Sequence, residues 1–203
     1  MEKRDNKIVY TNVEEILDPS HTALVVWDVQ NLLVDKIFNK QEFMNNLIST
    51  VELARKSNVP VFFTRIQMLP SQFESPSRPY TFSKLGLDRI GQPSAEDMAL
   101  IIKPDQNEIV IDKHTASIFI DTGFERMIRN AGIVTIVFTG IATEFGVESS
   151  AREALSRGFY SVVVSDIASS PDRVAHGRSL ENMEKMMTVI NSKEIENIWS
   201  KST

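Results

Sequence analysis

Apolar runs of strand length recur along the chain at residues 22–28, 60–65, 108–112, 134–139 and 159–165, with a weaker one at 187–190. After the first run, Phe43, Leu47, Val51 and Ala54 return at the spacing of one helical face. The runs are rich in Val, Ile and Phe and lack the polar alternation of a half-exposed strand, so both faces of each strand should be covered. Covered strands separated by helices predict an α/β fold, a doubly wound three-layer sandwich around a six-stranded, mostly parallel sheet. With 203 residues and 42% hydrophobic side chains, the chain is expected to form one domain. Two stretches break the rhythm. Residues 66–94 carry Pro70, Pro76, Pro79 and Pro93 among serines and glycines, and are expected to form a long active-site loop. Residues 1–20 are expected to be an N-terminal arm on the surface or on a neighbouring subunit, and Asn191 or Ser192 to cap a last helix through Trp199.

Open parallel sheets bind ligands outside the carboxyl ends of their strands. One step past successive apolar runs stand Asp28, Arg65, Lys113, the segment 140–146 and Asp166. Any one of these reads equally well as a strand returning to water, Asp28 as a turn or cap residue and Lys113 as a solvated lysine. A carboxylate and an amine at the exits of neighbouring strands are a stronger candidate for chemistry.

The run at 134–139 leads into Gly140-Ile141-Ala142-Thr143-Glu144-Phe145-Gly146 and then a helix through Arg152 and Leu155. A strand-to-helix turn aims backbone N–H groups at whatever occupies the helix start, a place where enzymes often put a nucleophile. This turn resembles that of the isochorismatase-like cysteine hydrolases, with Gly146 where their cysteine stands. Val25-Val26-Trp27-Asp28-Val29-Gln30 is similar to the family's first strand, and Lys113, Ser117 and Phe119 fit its lysine, serine and phenylalanine pattern. The resemblance covers about residues 22–190. It implies that Asp28 is the catalytic acid or base, that Lys113 is its partner, and that Gly146 occupies the nucleophile's position. It also implies a cis peptide between Ile141 and Ala142, and a homo-oligomer. Substrate contacts are expected from Arg65, Gln67, Ile141, Ala142, Thr143 and Glu144. Glu144 reads either as a second acid or base or as an acidic residue favoured by the dipole at a helix start.

The chain contains no cysteine, which excludes thiol chemistry. Thr143, Ser149 and Ser150 are the nearby hydroxyls, the two serines lying a turn into the helix. Family members that hydrolyse isochorismate also carry glycine at the nucleophile's place, because protonating a vinyl ether and adding water needs an acid and no protein nucleophile. Ala142 and Glu144 differ from that branch, which has an aromatic residue and a nearby histidine, and its glutamine falls here on Ile66 beside Gln67. Cations for an anionic substrate are available from Arg65, Arg78, Lys84 and Arg89. If the turn is arranged as the resemblance implies, a cysteine placed at 146 is expected to have a depressed pKa and to react quickly with electrophiles. Nicotinamidase-like relatives bind zinc, but His21, His114 and His176 show no ligand spacing, so neither a metal nor another cofactor is expected. A net charge of −5 without like-charge runs argues against nucleic acid. No apolar stretch approaches the ~18 residues of a membrane span, and the protein is expected to be cytoplasmic. The resulting expectation is a hydrolase of a small polar metabolite that uses Asp28 and water, with vinyl-ether hydrolysis as a candidate reaction. The alternative is a catalytically silent relative that binds a ligand or serves in assembly.

Overall fold

The computed structural model describes residues 1–84 and 93–201. The N-terminal residues are more than an arm. Strands β1 (Glu2–Arg4) and β2 (Lys7–Val9) pair as an antiparallel hairpin, and Asp5 and Asn6 at its tip both take positive φ, as a tight two-residue turn requires. Helix α1 (Val13–Ile16) follows, and Leu17 enters the core.

Among the described residues, six strands form the central sheet: β3 (Thr22–Trp27), β4 (Val61–Ile66), β5 (Ile109–Lys113), β6 (Thr135–Ile141), β7 (Tyr160–Ser169) and β8 (Thr188–Ile190). Their order is β5-β4-β3-β6-β7-β8 and every neighbouring pair is parallel. The chain therefore builds outward from β3 in one direction and from β6 in the other. The reversal falls between β3 and β6, so Asp28 and the turn after β6 stand at the switch point where such sheets bind ligands.

The helices are α2 (Asn31–Val34), α3 (Lys40–Lys56), α4 (Ser77–Lys84), α5 (Phe124–Asn130), α6 (Glu148–Ser156), α7 (Arg173–Glu184) and α8 (Ser192–Trp199). On β3, Leu24 and Val26 face one layer while Ala23, Val25 and Trp27 face the other, as strand alternation dictates. The first layer packs Phe43, Leu47, Val51 and Ala54 of α3 with Ile195 and Trp199 of α8. The second packs Phe124 and Ile128 of α5, Ala151 and Ala154 of α6, and Met183 of α7. This is the doubly wound three-layer sandwich read from the apolar runs, with one correction: the expectation that every strand is covered on both faces fails at the edge strand β5, where Ile109, Val110 and Asp112 are exposed because no further strand among the described residues lies beyond it. Among the described residues, no helix is long and apolar enough to cross a membrane.

Several boundaries differ from the sequence reading: β6 continues through Gly140 to Ile141, and Arg65 and Lys113 lie within β4 and β5 rather than past them. Strand β7 continues to Ser169, because Ile167 and Ala168 resume the buried run after a polar step. Asp166 is thus inside the strand rather than at its exit, and it accepts hydrogen bonds from the backbone and hydroxyl of Ser192 at 2.8 and 2.6 Å and from Asn46 at 3.0 Å. Its work is to pin α8 and α3 to the sheet. The long segment after β4 also contains regular structure, a 3₁₀ turn at Ser71–Phe73 and helix α4.

Asn191 caps α8 through a reciprocal box with Glu194, and the far end of that helix is held by the Trp199 indole N–H on the Leu17 carbonyl at 2.8 Å. Asn191→Ala is expected to lower stability by about 1 kcal/mol, read as a shift in the urea midpoint with unchanged slope. A shift indistinguishable from zero would mean that the cap contributes nothing to α8.

Candidate active site

Three adjacent strands converge on one carboxylate. Asp28 follows β3 directly and has φ of 49°, a left-handed turn that swings it over the sheet's edge. Its N–H donates to the Thr64 hydroxyl of β4 at 3.0 Å, and that hydroxyl donates back to Asp28 Oδ1 at 2.6 Å. Lys113, the last residue of β5, donates from Nζ to Oδ2 at 2.6 Å. Asp28 is 5% exposed and Lys113 2%, so the ion pair is desolvated. Burial pushes the Asp28 carboxyl above the usual carboxylate range, against the opposing pull of Lys113 and Thr64. Burial likewise pushes the Lys113 ammonium below its usual range; Asp28 opposes this, and nearby Arg78 adds cationic repulsion. Burial thus opposes the charge on both partners, while their 2.6 Å contact favours it.

The residue two after Asp28 does structural work. Gln30 is buried, accepts the Ile66 N–H at 2.9 Å and donates to the Met98 carbonyl at 2.7 Å, tying the end of β4 to the segment before β5. Ser117 of the sequence pattern is buried too, with its hydroxyl on Glu153 of α6.

The turn after β6 contains the cis Ile141–Ala142 bond that the resemblance implied, then a π-helical turn at Thr143–Val147 that runs into α6. The Phe145 and Val147 N–H groups both donate to the Ala142 carbonyl, so they are engaged within the turn. Thr143 and Glu144 reach away from Asp28. Thr143 shares a 2.8 Å hydrogen bond with His176 Nδ1, and Glu144 Oε1 accepts from Ser170 at 2.6 Å, both at the β7 side of β6. Glu144 Oε2 is buried with no hydrogen-bond partner among the described residues. Of the hydroxyls beyond the turn, Ser150 is buried and accepts the Ile118 N–H at 3.2 Å.

The structure does not bring Arg65 and Gln67 to the carboxylate. Strand alternation points Arg65 away from Thr64, and it makes a two-pronged ion pair with Asp112 at 2.6 and 2.8 Å. The Gln67 amide also lies on Asp112, at 3.4 Å. Of the other cations, Arg78 pairs with Glu74 at 2.7 Å, Lys84 lies 5.4 Å over the Tyr80 ring, and Arg89 is outside the described residues. The histidines occupy three separate places: His21 stacks on Tyr10, His114 bonds the Gln67 carbonyl, and His176 lies on Thr143.

Two site residues were not singled out from sequence. Thr64 is one, and its signal was available, since it is a polar residue inside a buried strand. Trp27 is the other. A Cβ built on Gly146 would lie 2.0 Å from Trp27 Nε1, 2.1 Å from Cε2 and 2.3 Å from Cζ2. The indole, 2% exposed, fills the space where a nucleophile's side chain would begin, and Lys113 Nζ sits 3.8 Å from the ring centroid. Any side chain placed at 146 would therefore meet this aromatic ring while Trp27 keeps its place.

A family model described as "Isochorismatase domain" matches residues 22–194. The chain is 28% identical over 194 residues to ureidoacrylate amidohydrolase RutB of Methylobacterium radiotolerans, a match covering 83% of this chain and 75% of that relative. In backbone it is similar to a cysteine hydrolase from Pseudomonas syringae pv. phaseolicola, with a TM-score of 0.80, 18% identity and coverage of 91% of this chain and 95% of that one. An isochorismatase family protein from Burkholderia thailandensis superposes with a TM-score of 0.75 at 26% identity, covering 89% and 96%. A match that starts with the first strand of the central sheet and reaches into the last helix settles the kinship: the chain belongs to the isochorismatase family of hydrolases.

Proposed function

We propose that this protein hydrolyses a small polar metabolite by acid–base chemistry with water, with Asp28 as the acid/base, Lys113 as its partner, and the turn from Ile141 to Gly146 as a wall of the site. The observation that carries this reading is the buried Asp28 carboxyl in contact with Lys113 at 2.6 Å and Thr64 at 2.6 Å, at the point where the winding of the parallel sheet reverses; burial raises its pKa above the usual range. A carboxylic acid that keeps its proton nearer to neutral pH is what general acid catalysis requires. With a vinyl ether, Asp28 gives its proton to the enol carbon, water adds to the resulting oxocarbenium carbon, and the hemiketal collapses to a carbonyl compound and an alcohol. The deprotonated Asp28 recovers its proton from that water. Lys113 orients the Asp28 carboxyl through its 2.6 Å contact, whereas Arg65 and Gln67 lie on Asp112 of the neighbouring strand. Because one relative is named a ureidoacrylate amidohydrolase, we would try small ureido acids alongside carboxylated vinyl ethers.

The test is a turnover assay on such a panel, normalised to folded protein. Asp28→Asn is expected to reduce kcat by about 10²- to 10⁴-fold, the span typical of a general acid. The rate in the unaltered protein should fall as pH rises through the elevated Asp28 range. Full activity in Asp28→Asn would refute this mechanism.

Trp27 favours a second reading. An indole in the nucleophile's place and a nearly solvent-free ion pair are also what a silent relative retaining the frame for ligand binding or assembly would carry. That reading predicts no turnover across the panel.

A further inference from the structure

We infer that Trp27 and Gly146 are a size-matched pair and that the indole, more than the loss of the thiol itself, determines which chemistry this turn can host. The inference rests on the family frame but not on the protein having any particular substrate.

Glycine within a helical turn costs stability relative to alanine, so its presence needs a reason. Backbone conformation is not the reason, because Gly146 is absent from the residues with positive φ. Space is. All three of the nearest atoms that a Cβ at 146 would meet belong to the Trp27 indole, at 2.0 to 2.3 Å, well inside van der Waals contact. Nor is the indole free to retreat. Its backbone pairs with Gly140 in the middle of the sheet, and its ring is packed in the cluster that holds Val25, Phe138 and Val147, with Lys113 Nζ against the face at 3.8 Å. A single substitution at 146 thus meets a fixed wall, and positions 27 and 146 must change together before any side chain can stand at the start of α6.

Position 27 is therefore specificity-determining. With tryptophan there, the turn presents an aromatic surface beside the Asp28–Lys113 pair. With a small aliphatic residue, it presents an open seat at the N-terminal end of a helical segment, which favours a thiolate.

The absence of cysteine from the natural chain makes the test free of background. Gly146→Cys, Trp27→Val and the double variant are compared for iodoacetamide alkylation by intact mass between pH 5 and about 9, a range that brackets the ordinary thiol pKa. The Gly146→Cys protein, kept under native conditions, is expected to react at least ten-fold more slowly than the double variant. The double variant's rate should show an apparent pKa below that of a free cysteine, a signature that simple core filling would not produce. Melting temperature gives a second readout. Trp27→Val, destabilising alone, should raise the melting temperature when added to Gly146→Cys or to Gly146→Ala. The inference is overturned if Gly146→Cys alone is as stable as the unaltered protein and reacts as fast as the double variant. It is equally overturned if Trp27→Val lowers the melting temperature of the Gly146 variants as much as it does that of the unaltered protein. Because the readouts are an introduced thiol and a melting temperature, this result stands whether or not Asp28 proves to be a general acid.

Discussion

Lys113→Met is expected to make the protein progressively less stable as pH rises, and Asp28→Asn to make it progressively more stable over a higher pH range. In Lys113→Met the carboxyl loses its cationic partner in a site where Asp28 is 5% exposed, so it stays folded only by keeping its proton. Its folded pKa is then raised further above the unfolded value of about 3.9, and the stability present below that value is lost as pH climbs toward the folded pKa, at up to about 1.4 kcal/mol per unit. In Asp28→Asn the ammonium is stranded and its folded pKa falls further below the unfolded value of about 10.4. Stability then rises with pH from the folded pKa up to about 10.4. At neutral pH each variant should be weakened by about 3–5 kcal/mol, the usual cost of breaking a buried pair. Asp28→Asn combined with Lys113→Met should recover most of that loss, because no uncompensated charge remains. Urea midpoints of the four proteins between pH 5 and 9 measure all three effects. Parallel pH slopes for the two single variants, or additive losses in the double variant, would contradict a desolvated pair at this site.

The ion pair was readable because its two residues obey a rule about place. Asp28 follows the fully buried β3 and Lys113 is the last residue of β5, and a parallel sheet gathers its strand exits on one edge. The same rule misread Asp166, since β7 has a polar step in mid-course and resumes with Ile167 and Ala168, which an exit rule cannot foresee. Arg65 failed for a different reason. It is near the end of β4, but the period of two hands the carboxylate to Thr64 and sends the guanidinium to Asp112 on the next strand. Trp27 was hidden most deeply. In sequence it is one more apolar residue at the end of a core strand, and its meaning depends on a contact with Gly146 that exists only once β3, β6 and the start of α6 are assembled. Sequence pattern thus reported which residues share an edge, while volume matching across the edge needed coordinates.

Gly140→Ala is expected to be the most damaging single methyl group in this protein, costing more than about 4 kcal/mol and leaving little folded material at 37 °C. Gly140 has φ of +110°, outside the regions open to residues with a side chain. Its missing Cβ would also sit 2.0 Å from the Trp27 carbonyl oxygen and 2.7 Å from the Trp27 C and N atoms. These are backbone atoms, so no rotamer change relieves the contact. The two residues are partners in the β3–β6 ladder, beside the register shift between Phe138 and Gly140 in the β6–β7 pairing. Making room would force β3 and β6 apart where they present Asp28 and the Ile141–Gly146 turn. Gly158→Ala is the control for conformation alone, with φ of +85° and nothing within 4 Å of its Cβ position. That change should cost about 1–2 kcal/mol, the ordinary penalty of left-handed backbone for an L-residue. The difference between the two variants in urea unfolding isolates the steric part of the Gly140 effect. If both melt within about 1 kcal/mol of each other, a resolvable margin between destabilised variants, then β3 and β6 do not approach as closely at the switch point as Gly140 indicates, and the seat shared by Trp27 and Gly146 would have to be redrawn.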